Sequence, residues 1–186
     1  MLRRLLLPML GSAWMFPAAA QPRPGAPLAL PLSPANTTIG FSIGALGLFT
    51  LQGHFTRFAG DLLLDQARPE ATRVAVLVDT TSVEAEGGAS DTAREIDLLR
   101  TRDFPTLSFR SESVSVAPDG SATVLGQLTL AGITKPLQLV VRREQQSFLA
   151  AGIVERSSHG LFALRPILAD RVRLAIAVHL PGQGPG

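Results

Sequence analysis

From Thr38 onward the chain is a succession of short stretches in which apolar and polar residues alternate. Ile39, Phe41 and Ile43 alternate with Thr38, Gly40 and Ser42; Phe49, Leu51, Gly53 and Phe55 alternate with Thr50, Gln52, His54 and Thr56. After a corner at Phe58-Ala59-Gly60 come Leu62 and Leu64, and then Val74, Val76 and Val78. Leu107 and Phe109 lead to Val114 and Val116, and Pro118-Asp119-Gly120 marks a turn. Val124, Gly126, Leu128 and Leu130 share a face, as do Leu137, Leu139 and Val141. Phe148, Ala150, Gly152 and Val154 form the next such set, and Val172, Leu174, Ile176 and Val178 close the series. A period of two puts each set on one face of an extended strand. The pattern therefore predicts antiparallel strands with one buried face.

One segment departs from it. Within residues 91–103, Ile96 and Leu99 fall at helical spacing, Ser90 or Asp91 can cap the start, and Pro105 stops the run. One short helix is expected there. Eight to ten strands, one helix and no repeated unit indicate a single all-β domain over residues 35–180. A barrel or a sandwich would each protect the strand edges. Residues 21–34 contain five prolines and read as an extended leader into the domain, with a short edge strand at Leu28–Leu32, and residues 181–186 read as a flexible tail.

The first twenty residues have the layout of a secretory signal peptide. Arg3 and Arg4 form a basic start, residues 5–16 are mostly apolar, and Ala18-Ala19-Ala20 offers a cleavage site. A twin-arginine leader is the minor reading, and the apolar run is too short to span a bilayer. Removing this segment changes the charge. The whole chain carries 17 Lys and Arg against 15 Asp and Glu, and without Arg3 and Arg4 the two signs balance. A neutral body with no long basic run speaks against nucleic acid as a partner. There is no cysteine, so disulfides, thiol catalysis and Cys-zinc sites are excluded. An exported, periplasmic protein held together by packing alone is expected.

Catalytic candidates are few. Gly40-Phe41-Ser42-Ile43-Gly44 spells the G-x-S-x-G of serine hydrolases, but that elbow needs a strained turn followed by a helix. Here the alternation runs straight through Ser42, so it reads as a strand serine. His54, His159 and His179 lie far apart without a second ligand at metal spacing and read as surface or rim residues. Glu84/Glu86 and Asp61/Asp65 read as solvated loop pairs, and Arg142-Arg143 and Arg171/Arg173 as solvated strand positions. No catalytic set and no metal site emerges. A barrel of about eight strands can instead fill with side chains or hold one ligand.

Five stretches, in order, resemble the YceI-like family of exported lipid- and polyisoprenoid-binding proteins. Ser33-Pro34-Ala35-Asn36-Thr37-Thr38-Ile39-Gly40-Phe41-Ser42-Ile43 is similar to the family's D-P-x-H-S-x-I-x-F-x-V. Leu51-Gln52-Gly53-His54-Phe55-Thr56-Arg57-Phe58-Ala59-Gly60 follows V-x-G-x-F-x-x-F-x-G, and Val78-Asp79-Thr80-Thr81-Ser82-Val83 resembles V-D-x-x-S-I. Leu99-Arg100-Thr101-Arg102-Asp103-Phe104 matches L-R-S-x-D-F. Most distinctive is Gly126-Gln127-Leu128-Thr129-Leu130-Ala131-Gly132-Ile133-Thr134-Lys135-Pro136-Leu137, which follows G-x-L-T-I-x-G-V-T-K-P-V. Family members usually carry histidine at the positions of Ala45 and Ala131, and have a longer connection where Pro105 here follows Phe104 at once.

The resemblance implies an extended, antiparallel, lipocalin-like barrel of about eight strands with one short helix, whose tunnel holds a long isoprenoid chain. It implies no enzyme activity and no covalent cofactor; a polyprenyl lipid or quinone is the candidate ligand. The apolar faces nominate Ile39, Phe41, Ile43, Phe49, Leu51, Phe55, Val76, Val78, Leu107, Phe109, Leu128, Leu130, Leu139 and Val141 as its lining. A homodimer and a transient membrane contact are further expected associations. The competing reading is an accessory protein with a filled interior that acts through its surface, beside a membrane redox or stress-response system.

Overall fold

The structure, a computed structural model, describes residues 27–85 and 98–181. Its strands are β1 (Leu28–Leu32), β2 (Thr37–Ala45), β3 (Phe49–Phe55), β4 (Phe58–Leu64), β5 (Arg73–Asp79) and β6 (Val83–Ala85). They continue as β7 (Thr106–Val116), β8 (Ala122–Leu130), β9 (Ile133–Glu144), β10 (Ser147–Glu155) and β11 (Leu168–His179). All belong to one sheet of eleven strands, in the order β1-β4-β5-β7-β8-β9-β10-β11-β2-β3-β6, with antiparallel pairing throughout. The fold is all-β, as the alternation requires.

Strands far apart in that order meet across the interior. Ile39 of β2 and Phe55 of β3 pack with Val78 of β5 and Val83 of β6. Leu30 and Leu32 of β1 pack with Val178 of β11. The sheet is therefore curled, with its apolar face inward. Two corners stitch the curl: the chain crosses from β3 to β4 through Thr56 and Arg57, and from β5 back to β6 through 80–82. At this seam the Thr56 N–H donates to the Ser82 carbonyl (3.2 Å), and the Asp79 N–H donates to the Arg57 carbonyl (3.0 Å). Thr80 is fully buried there, its hydroxyl donating to the Phe104 carbonyl at 3.0 Å.

Several expectations change. Among the described residues eleven strands replace about eight; the expected edge strand Leu28–Leu32 is β1, and the strand that the alternation misses is β6, whose three residues are too few to show a period. Phe58-Ala59-Gly60 is not the corner; it opens β4, and the crossing uses the two residues before it. Of the helix expected over residues 91–103, residues 91–97 lie outside the described residues, and 98–103 form turns. The stretch expected as a signal peptide, residues 1–20, also lies outside them, as does Glu86. No helix among the described residues is long and apolar enough to cross a membrane.

Four aspartates hold turns and seams. Asp65 accepts from the backbone N–H groups of Arg68 and Ala67, and Asp79 from the hydroxyl and N–H of Thr81 and from Arg57 Nε. Asp119 and Asp170 do the same for Ser121 and Ser157. The Arg68 N–H, for Asp65, and the neighbouring hydroxyls of Thr81, Ser121 and Ser157, for the others, are the main forces holding these carboxyls below the ordinary range. Each therefore titrates lower in the folded than in the unfolded chain. Their contribution is complete above the unfolded value, near 3.9, and is lost as pH falls through it toward the folded values. Urea midpoints should be level above about pH 5 and drop below about pH 4. A midpoint unchanged down to pH 3 would contradict these carboxylate roles.

Candidate functional site

The curled sheet encloses a cavity of about 680 Å³ whose wall is almost wholly aliphatic and aromatic. That volume is ordinary for a small-molecule site, about 300–1,000 Å³. Of the exposed residues in its lining, Thr81 lies on the β5–β6 seam, and Gln66, Val116, Gly120 and Arg143 lie at the end of the barrel that carries the 65–72, 117–121 and 145–146 connections. The cavity opens there. At the opposite end the lining residues Leu130, Leu161, Leu168 and Arg156 are all buried.

The side chains reach the cavity because of strand phase. Register pairs Ile39 with Phe55 and Ile43 with Leu51, and Phe109 with Leu128, so inward residues stack in rows across neighbouring strands. Two strand glycines make room for rings. A Cβ on Gly53 would lie 2.6 Å from Phe41 Cζ, and one on Gly126 would lie 2.7 Å from Phe109 Cζ. Without side chains of their own, these glycines let Phe41 and Phe109 lie flat across the strand beside them. The Phe41 and Phe55 rings are then 5.6 Å apart and tilted by 44°.

Of the residues nominated from the alternation, Ile39, Phe41, Ile43, Leu51, Phe55, Val76, Val78, Leu107, Phe109, Leu128, Leu130, Leu139 and Val141 line the cavity. Phe49 does not. It shares the parity of Leu51 but sits at the very start of β3, 66% exposed, beyond the edge of the wall. The lining also includes Leu32, Leu62, Val74, Val114, Val124 and Leu137, together with the inward faces of β10 and β11. The same alternation marks most of these. Leu161 and Arg156 follow no period, because they sit on the irregular connection between β10 and β11.

The polar candidates fare differently. Ser42 lies on the outer surface in a shallow groove with Gln52, His54 and Arg173, and β2 continues straight through it. Among the described residues no histidine or carboxylate hydrogen-bonds to Ser42, and no group of three His, Asp or Glu could hold a metal ion. Nor is His159 a surface residue: it is buried in the turn after β10, with Nδ1 3.2 Å from the Glu155 carbonyl. Asp65 is likewise buried rather than solvated, because the turn it caps folds over its carboxylate. Ala45 ends β2 and Ala131 follows β8, and neither lines the cavity, although Ala131 is buried in the cluster of Leu128, Leu130 and Leu161.

Comparison with known proteins agrees with this architecture. The model of the YceI-like domain matches residues 31–180. A UPF0312 protein of Shewanella baltica strain OS185 is 34% identical over 140 residues, 75% of this chain and 72% of its own length. Another, from Vibrio vulnificus strain YJ016, is 34% identical over 119 residues, 63% of this chain and 60% of its own. Among solved structures, BcnA of Burkholderia cenocepacia superimposes with a TM-score of 0.66 at 18% identity, covering 78% of this chain and 97% of that one. A polyisoprenoid-binding domain from Saccharophagus degradans gives 0.57 at 14% identity, over 82% and 98%. With its motifs, its curled antiparallel sheet and its apolar interior, this chain belongs to the YceI-like domain family.

Proposed function

We propose that the protein is a periplasmic carrier or store for a long apolar lipid, a polyisoprenoid or similar amphiphile such as a polyprenyl quinone, and that it performs no covalent chemistry. The observation that carries this reading is the 680 Å³ apolar cavity opening at one end of the barrel. Each buried methylene contributes about 0.8 kcal/mol, so about ten of them offset much of the cost of immobilising a flexible ligand. A wall of aliphatic side chains with few polar groups suits such a chain. The similarity to the Saccharophagus degradans polyisoprenoid-binding domain supports the same ligand class. The apolar leader of residues 5–16, with its basic start, supports export. A filled interior, which an accessory protein acting only through its surface would have, is not what the cavity offers.

The test is native mass spectrometry of protein purified from its own host, followed by lipid extraction. A bound lipid of defined mass, displaced by an added polyprenyl quinone, is the expected result. Recovery of ligand-free protein that takes up no polyprenyl quinone or prenol would overturn the carrier role.

A further inference from the structure

Arg156 is out of keeping with the wall that contains it. It is 4% exposed, follows directly on β10 and lines the buried end of the cavity. Its Nη2 donates to the Ala163 carbonyl at 2.8 Å, but Nη1 has no hydrogen-bond partner among the described residues. No carboxylate among them lies within 4 Å to form an ion pair with it. Buried charges are ordinarily paired, because an unpaired one forfeits its hydration without compensation.

The nearest candidate for that role is already engaged. Asp170 attracts the Arg156 charge but does not pair with it directly; its oxygens accept from the Ser157 N–H (2.8 Å) and hydroxyl (2.6 Å), and Arg165 Nη2 lies 3.4 Å from one of them. Val154, Leu161 and Leu168, which line the same cavity, offer no acceptor from their side chains. The other cation of the lining, Arg143, is exposed at the mouth and stacks 5.9 Å from the Phe148 ring. The one lining carboxylate, Asp65, belongs to the mouth end as well and is satisfied by its own turn.

We propose that Arg156 is the polar anchor of the cavity and receives an anionic oxygen head group, a phosphate monoester or a carboxylate, of an amphiphile that enters head first. This rests on the lipid-binding reading above and specifies its ligand. The head group would supply the acceptor that Nη1 lacks and the counter-charge that the wall does not provide, with the chain lying along the aliphatic lining toward the mouth. A guanidinium suits this role because its planar donors match phosphate and carboxylate oxygens. Burial lowers the Arg156 pKa, consistent with a charge that lacks full compensation.

The experiment compares ligands of the same chain with different heads. Geranylgeranyl monophosphate and geranylgeraniol form one pair, arachidic acid and its alcohol another, titrated into the delipidated full domain and its Arg156→Met and Arg143→Gln variants. A charge-assisted bond in a dry site should favour the phosphate over the prenol by about tenfold or more, and Arg156→Met should reduce that preference to about twofold while prenol binding persists. The arachidate pair tells whether the source of the anion is a fatty acid or a prenyl phosphate. If prenol and phosphate bind the wild type equally, or the preference survives Arg156→Met or disappears in Arg143→Gln instead, the anchor is refuted while the lipid site stands. If no ligand of either pair enters and polyprenyl quinones are also refused, the lipid site itself fails. Should Arg156→Met not fold, the guanidinium resonances of Arg156 in the wild type decide the matter. They should shift on adding the phosphate but not the prenol, and their indifference to both would refute the assignment.

Discussion

Gly126→Ala should destabilise the barrel by about 3 kcal/mol, near the upper end of what overpacking a core ordinarily costs. Gly126 lies on β8 opposite Ser111 of β7 and Leu137 of β9. The added methyl would meet Phe109 Cζ at 2.7 Å and Cε2 at 2.8 Å, and would press still closer on the backbone carbonyl of Arg110. A flexible side chain could turn aside, but a ring held in a row and a carbonyl fixed in the ladder cannot both do so. For a domain of this length the loss should lower Tm by about 10 °C. Phe109→Leu in the same chain should relieve part of the clash, so the double variant should lose less than the two single losses combined. A Gly126→Ala protein that melts within a degree or two of the parent would mean that the ring does not lie over the strand.

Val76→Phe should act on capacity rather than on stability. Val76 touches all three groups of buried residues, the Phe109–Leu128 group, the Ile39–Phe55 group and the Leu30–Leu32 group, and so stands at the middle of the cavity. A larger side chain there divides the space. A lipid cut off from about four methylenes' worth of wall loses about 3 kcal/mol, or roughly a hundredfold in Kd. Titration with geranylgeraniol checks this directly, and the ligand-free variant should melt no lower than the wild type. Unchanged affinity would place the lipid outside the barrel.

The alternation made most of this site legible in the sequence, because a half-buried strand announces its inward face every second residue. Where the phase slipped, the cause was local. Leu107 and Phe109 are odd-numbered, Val114 and Val116 even, and all four face inward. A bulge between Ser111 and Ser113 adds one residue to β7 and restores the phase. Phe49 was misplaced because periodicity gives the direction of a side chain but not where the wall ends. Asp65 and His159 were misread for a different reason: both are polar residues of short turns, and only the folded chain shows that the turns close over them. Arg156 belongs with these. It occupies an aperiodic connection, and an arginine there is ordinarily solvated, so only the folded chain shows its burial.

The side chains that line the cavity are also those that hold the sheet in its curl; Ile39, Phe55, Val78, Phe109, Leu128 and Leu139 serve both purposes. Mutational drift in such a wall is constrained from two directions. Substitutions that grow from a lining residue into empty space tighten the empty protein and shrink its cargo space, while those that shorten one enlarge the space and loosen the protein. Lineages of this fold can therefore change the size of what they accommodate only along a path on which thermal tolerance moves the opposite way, unless stability is recovered on the outer face of the sheet.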